Sequence, residues 1–196
     1  FPEVRFPAFV NDGASAVAWV ARNIAGYGGS PERIHLMGHS AGAHIAAMLA
    51  YDPTYLQASG AGDIRVERFI GLSGPYDFLP LKLDYLKDVF PEALRQQSQP
   101  INFVSADAPP TLLIHGSADD VVLSSNSESL AQALSQSGTP VELRLYEGVG
   151  HARVVAALAP PLGFTGSTLE DAIAFIGAAA KLRDRTNQQS GATVVP

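Results

Sequence analysis

Gly38-His39-Ser40-Ala41-Gly42 follows a short apolar run, Arg33 to Met37, and opens an alanine-rich helical run, Ala41 to Ala50. A serine in the pattern Gly-x-Ser-x-Gly at a strand-to-helix turn reads as a nucleophile elbow. The flanking glycines have a physical reason. A side chain at either position would crowd a turn sharp enough to push the serine hydroxyl clear of the backbone. Ser40 then stands at a helix N-terminus, whose free N–H groups favour developing negative charge. The pattern alone recurs in unrelated proteins. The strand before it and the helix after it give it weight here.

Upstream of the elbow, Val17, Val20, Ala21 and Ile24 share one face at helical spacing, and Asn11 and Asp12 can cap that helix, which runs to about Ala25. Gly26-Tyr27-Gly28-Gly29-Ser30-Pro31 breaks it. Downstream, the elbow helix runs to about Tyr51, residues 52–64 read as loop, and Glu67 to Ser73 reads as a second strand. Gly74 to Ser105 is irregular, with short helices expected near Leu81–Asp88 and after Pro91. Thr111 to His115 is a third strand, continuously apolar as parallel strands tend to be. A helix over Ser124–Ser137, a fourth strand over Val141–Glu147 and a last helix over Ser167–Leu182 follow. The residues from Arg185 to Pro196 are a polar tail. Strands alternating with helices predict an α/β fold, a parallel sheet covered on both faces.

The chain has 196 residues, enough for one domain with a core, and its 46% apolar and 16% charged composition is that of a globular protein. A net charge of −6 argues against a nucleic-acid partner. No run approaches the roughly 18 apolar residues of a membrane span. The absence of cysteine excludes disulfides and thiol catalysis. No spacing of His, Asp and Glu matches a metal site. No signal peptide is visible, so a soluble protein is expected, cytoplasmic rather than secreted. Phe1 is not a natural start, and a chain that was cut, processed or partly included is expected.

A serine hydroxyl is a weak nucleophile and needs an adjacent base, which in turn needs a carboxylate to hold its tautomer. The third strand ends in His115-Gly116-Ser117-Ala118-Asp119-Asp120, and the fourth ends in Tyr146-Glu147-Gly148-Val149-Gly150-His151. In a parallel sheet both loops leave the same edge as the elbow, so Ser40, Asp119 and His151 can converge. Asp120 beside Asp119, and Asp77 after the preceding strand, are the other candidates for the acid. His39 and His44 read as packing or hydrogen-bonding residues, and His35 and His115 as structural.

These stretches resemble the α/β-hydrolase esterases and lipases, in particular the hormone-sensitive-lipase-like, feruloyl/acetylxylan-esterase-like and kynurenine-formamidase branch. The likeness rests on Ser30-Pro31-Glu32-Arg33-Ile34, on the elbow with Ala43-His44, and on Gly71-Leu72-Ser73-Gly74-Pro75-Tyr76-Asp77. It continues through Ala108 to Asp119 and Gly150-His151, and covers roughly residues 7 to 182. It implies an α/β-hydrolase domain over 1–184, with a small cap-like insertion at about 74–105 and the tail at 185–196. It implies Ser40 as nucleophile, Asp119 as orienting acid, in register four residues after His115, and His151 as base. It further implies the Ala41 N–H as one oxyanion donor, a small-molecule ester as substrate, and no cofactor.

The sequence departs from that pattern in one respect: it has no His-Gly-Gly segment before the elbow. Such a segment supplies the remaining oxyanion donors of the family, and losing one donor can cost about 10²–10³ in turnover. The strand that neighbours the elbow strand in the family is missing as well. The expected fold is therefore N-terminally truncated, with Arg33–Met37 an exposed apolar edge, and a preceding or separate segment is expected to complete the sheet. Three readings follow: an esterase; an amidase, formamidase or peptidase with the same triad; or a non-catalytic binding protein of the same fold.

Overall fold

The structure, a computed structural model, describes residues 1–178. The polar tail at 185–196 and the end of the helix expected to reach Leu182 lie outside the described residues. Four strands form one sheet: β1 (Ile34–His39), β2 (Val66–Leu72), β3 (Thr111–Gly116) and β4 (Val141–Tyr146), in the order β1-β2-β3-β4 and parallel throughout.

Side chains alternate across a strand, and that period assigns the two faces. Phe69 of β2 and Leu113 of β3 point to one face, where they meet Ala43, Ala47, Leu130 and Leu134 from α2 (Ala41–Tyr51) and α5 (Ser125–Gln136). Ile70, Leu72, Leu112 and Ile114 point to the other. There they pack on Val154 of α6 (His151–Ala156) and on Ala172 and Phe175 of the helical residues 168–178. The Tyr146 hydroxyl donates to Asp171 at 2.6 Å and ties that last helix to β4. β3 is buried at every residue, which explains its unbroken apolar run. Among the described residues β1 pairs only with β2 and is the edge of the sheet, as expected, and Met37 is 41% exposed there.

Helix α1 spans Ala8–Asn23 and starts before the expected cap; Asn11 and Asp12 lie inside it, and no side chain caps it. Its first turn forms because Phe6 and Val10 extend the apolar stripe of Ala14 and Val17 into the core. Packing of such a stripe, more than local propensity, stabilises helices in proteins. The expected loop at 52–64 holds a helix, α3 (Pro53–Ala58). Asp52 accepts from the Thr54 N–H at 3.0 Å and Pro53 occupies the first turn, a local start signal that the sequence does carry.

The irregular 74–105 stretch contains α4 (Asp84–Val89) where a helix is expected. After Pro91 it makes three 3-10 turns, at Glu92–Leu94, Gln96–Ser98 and Pro100–Phe103, in place of the expected α-helix. Gln99 Oε1 accepts from the Phe78 N–H, and Asn126 Oδ1 accepts from the N–H groups of Tyr76 and Asp77. These side chains satisfy backbone donors that no regular element serves. Among the described residues no helix is long and apolar enough to cross a membrane.

His44 clamps the 74–105 stretch to α2. Its ring lies 5.5–6.5 Å from those of Phe6, Phe9, Phe78 and Phe90, and Nε2–H donates to the Ser98 carbonyl at 2.7 Å. Desolvation in this aromatic box outweighs the hydrogen bond and lowers the His44 pKa to about 4. Below its ordinary value of 6.5 the unfolded chain takes up a proton that the folded chain refuses. The resulting stability is fully present above 6.5, is lost as pH falls towards 4, and amounts to about 3 kcal/mol. Urea unfolding across that window should show the midpoint falling with acid. In His44→Gln, whose amide reaches Ser98 but cannot titrate, the fall should be smaller.

Candidate active site

The candidate residues all leave the carboxyl edge of the sheet. β1 runs into Ser40, whose φ is 55° and ψ −123°, a left-handed-side conformation that few residues other than glycine adopt. Ser40 N–H donates to the Leu72 carbonyl at 2.9 Å, and the Ser40 carbonyl accepts from the N–H groups of Ala43 and His44. The turn is thus bonded on both sides, which sustains a strain of about 1–3 kcal/mol. Gly38 sits against the elbow so closely that a Cβ there would collide with the Gly42 carbonyl. Ala41 begins α2, so its N–H belongs to the first turn, which has no intrahelical acceptor.

Two further loops are stitched to each other. Ser117 N–H donates to the Tyr146 carbonyl, Ala118 N–H to the Val149 carbonyl and Gly148 N–H to Ser117 Oγ, all at 2.9–3.1 Å. Gly116 makes this possible, since a Cβ there would strike the Val149 carbonyl. Gly148, with φ 67°, takes the reversed turn that follows.

The stitched loops bring Asp119 and His151 into contact. Asp119 Oδ2 accepts from His151 Nδ1 at 2.7 Å, while Oδ1 accepts from the N–H groups of Val121 and Val122 at 3.0 and 2.9 Å. With Nδ1 carrying the proton that faces the carboxylate, Nε2 is left as the acceptor. Burial favours the neutral acid. The Val122 N–H, His151 and the Val121 N–H overcome it and hold the Asp119 carboxyl below its ordinary range. Of the rival acids, Asp120 and Asp77 are both exposed, and neither touches His151.

Three features were not legible in the sequence. Ser73, wholly buried at the end of β2, has a φ of 46°, so a second strained serine stands beside the first. His151 is the first residue of α6 and not part of a loop; the turn Gly148-Val149-Gly150 ahead of it leads directly into the helix. His39 Nε2–H donates to the His151 carbonyl at 3.0 Å, and the two rings stack with centroids 4.6 Å apart. His39 thus joins the elbow to the His151–Asp119 pair; the Ser40 hydroxyl itself makes no hydrogen bond among the described residues. The nucleophile–base contact of such sites is commonly loose and tightens around substrate.

His115 supports the acid from behind. It is fully buried, accepts from Ser127 Oγ at Nδ1, donates from Nε2 to the Val122 carbonyl, and lies 3.4 Å from Asp119 Oδ2. Burial lowers its pKa and keeps it neutral beside the carboxylate. No group of His, Asp or Glu that could hold a metal occurs among the described residues. A cavity of about 510 Å³ lined by Arg22, Glu32, Asp63 and Arg65 lies at the amino ends of β1 and β2, on the far side of the sheet from this site.

Residues 2–134 match the BD-FAE family. The probable isoprenylcysteine alpha-carbonyl methylesterase ICMEL1 of Arabidopsis thaliana is 35% identical over 176 residues, covering 77% of this chain and 37% of that protein. Esterase LipQ of Mycobacterium tuberculosis is 33% identical over 153 residues, covering 70% of this chain and 36% of its own length. The chain therefore spans well under half the length of these curated relatives. Among solved structures, esterase 2 of Thermogutta terrifontis superposes with a TM-score of 0.72 at 26% identity, over 87% of this chain and 64% of that one. Other solved forms of that esterase have butyrate bound or are phosphorylated by paraoxon. A truncated carbohydrate esterase from gut microbiota gives a TM-score of 0.75 at 23% identity, over 90% of this chain and 70% of that one, a likeness of fold.

Gly116→Ala should push the acid loop and the histidine loop apart and destabilise the chain by about 1–3 kcal/mol. Gly26→Ala, where a Cβ meets nothing within 4 Å, should stay within about 0.5 kcal/mol of the parent. Denaturant titration of the two variants against the parent is the measurement.

Proposed function

We propose a serine-esterase activity for this chain, which belongs to the BD-FAE family of α/β-hydrolase esterases. The observation that carries the proposal is the Asp119–His151 contact at 2.7 Å, one residue's reach from the Ser40 elbow through His39. In this reading His151 Nε2 takes the Ser40 proton as Oγ attacks the ester carbonyl carbon. Asp119 holds Nδ1–H and stabilises the imidazolium that forms. The Ala41 N–H donates to the oxyanion, which develops at the amino end of α2. Collapse of the tetrahedral adduct breaks the ester C–O bond, and the imidazolium returns the proton to the departing alcohol. Water, deprotonated by the same imidazole, then cleaves the acyl-serine and releases the carboxylic acid.

The exposed side chains of Val121 and Leu123, two and four residues after Asp119, offer apolar surface for the organic part of the substrate. A carboxylic ester is favoured over an amide because the relatives at 33–35% identity are named as esterases. Phosphorylation of esterase 2 by paraoxon supports an activated serine as nucleophile.

Ser40→Ala should abolish turnover of p-nitrophenyl acetate and butyrate and block labelling by a fluorophosphonate. Asp119→Asn should lower kcat by about 10³–10⁴ with the fold intact, because the amide stabilises the wrong tautomer of His151. Wild-type turnover in Ser40→Ala would overturn the assignment. Faster cleavage of aryl-amides or N-formyl amides than of esters would move the activity to the amidase class.

A further inference from the structure

We propose that His39 is a positioning residue for the general base: through its bond to the His151 main chain it fixes where the imidazole stands relative to Ser40. The inference rests on the serine-esterase reading above and deepens it.

His151 needs two restraints and side-chain bonding supplies one. The Asp119 carboxylate holds Nδ1, but a ring held at one nitrogen can still swing about that contact, and the chain before it is Gly148-Val149-Gly150. Gly148 and Val149 are bonded to the segment after β3, and Gly150 alone links that stitched turn to α6; glycine leaves the backbone its greatest freedom, so a further restraint on His151 has an effect there. His39 acts on that point. Nε2–H donates to the His151 carbonyl at 3.0 Å, and the rings stack at 4.6 Å with an interplanar angle of 46°. Because a carbonyl only accepts, the proton of His39 is on Nε2.

His39 is also the residue bonded directly to the nucleophile. Its backbone is in β1, paired in register with Leu72, and Ser40 N–H continues that pairing to the Leu72 carbonyl. A rigid strand end therefore carries both the hydroxyl and the clamp on the base. The distance between them depends on one peptide unit and one hydrogen bond, and not on the course of 112 intervening residues.

Charge is consistent with the role. The groups facing the His39 ring are His151, Asp119 and His115. Burial lowers the His39 pKa more than its bond to the His151 carbonyl raises it, so the ring is uncharged at neutral pH. A neutral ring can stack on His151 while that residue takes up a proton. A second imidazolium at 4.6 Å would oppose it.

The test is a series at one position, read as kcat and KM on p-nitrophenyl butyrate, with circular dichroism for fold and Ser40→Ala as control. His39→Phe keeps a ring and loses the donor. It should lower kcat roughly 10–100-fold and leave KM within about twofold, the signature of a misplaced base and not of lost substrate binding. His39→Gln places an amide N–H where Nε2 stands and should recover most of the loss. His39→Asn, one methylene short, should not. If His39→Phe fails to fold, the comparison of Gln with Asn decides alone. Wild-type kcat in both Phe and Asn variants, or equal losses in Gln and Asn, overturns the role of His39 while an inactive Ser40→Ala keeps the esterase reading. Full activity in Ser40→Ala removes both.

Discussion

Four strands running the same way oblige every connection that follows a strand to emerge on one rim, and the site depends on that constraint. Ser40, Asp119 and His151 stand far apart along the chain, yet each follows the carboxyl end of a strand of the same sheet: β1, β3 and β4. The order of strands then sets the neighbours. β3 and β4 are adjacent, so Asp119 and His151 meet through the segments directly after them. β1 lies two strands from β3, and the elbow reaches the pair across the end of β2, where Ser73 sits.

Backbone groups do most of the holding. Asp119 is fixed by two main-chain N–H groups, His151 by a bond to its carbonyl, and the acid and base loops by three bonds in which every donor is a main-chain N–H. Such contacts lose little side-chain freedom and place polar atoms to within a few tenths of an ångström, which catalysis by preorganised groups requires. The departures from ordinary conformation gather at the same rim: Ser40 and Ser73, the two non-glycine residues with positive φ among those described, end neighbouring strands. A surrounding lattice of parallel-sheet hydrogen bonds is what keeps such strained residues in place.

The histidines divide by environment. His44 and His115 are buried and held neutral, each donating to a main-chain carbonyl. His44 ties the 74–105 stretch to α2, and His115 backs Asp119. His39 and His151, half-exposed at the rim, face each other. Identical side chains thus meet a main-chain carbonyl, a serine hydroxyl or a carboxylate, a sorting that depends on which acceptor or donor lies within hydrogen-bond range.

Local chemistry in the sequence was sufficient for the α/β class, the strand positions and the elbow turn, and it nominated Ser40, Asp119 and His151, because alternation, glycine punctuation and strand-end motifs are read residue by residue. Asp52-Pro53 is a legible helix start as well, set in a stretch whose Gly, Ala and Asp content otherwise reads as loop. The early start of α1 was not legible, since the burial of Phe6 and Val10 depends on surfaces supplied by α2 and the 74–105 stretch. The choice of Asp119 over Asp120 and Asp77 became physical only when the stitched loops buried one carboxylate and left the others in solvent. The same holds for His39: its bond spans 112 residues, and no spacing rule connects a strand end to a helix start so distant. The order of residues thus determined which groups were available and on which rim they would emerge. Only the packing of one strand's end against another's decided which of them touch, because contact at hydrogen-bond range is a property of the folded sheet and not of the chain's local periodicity.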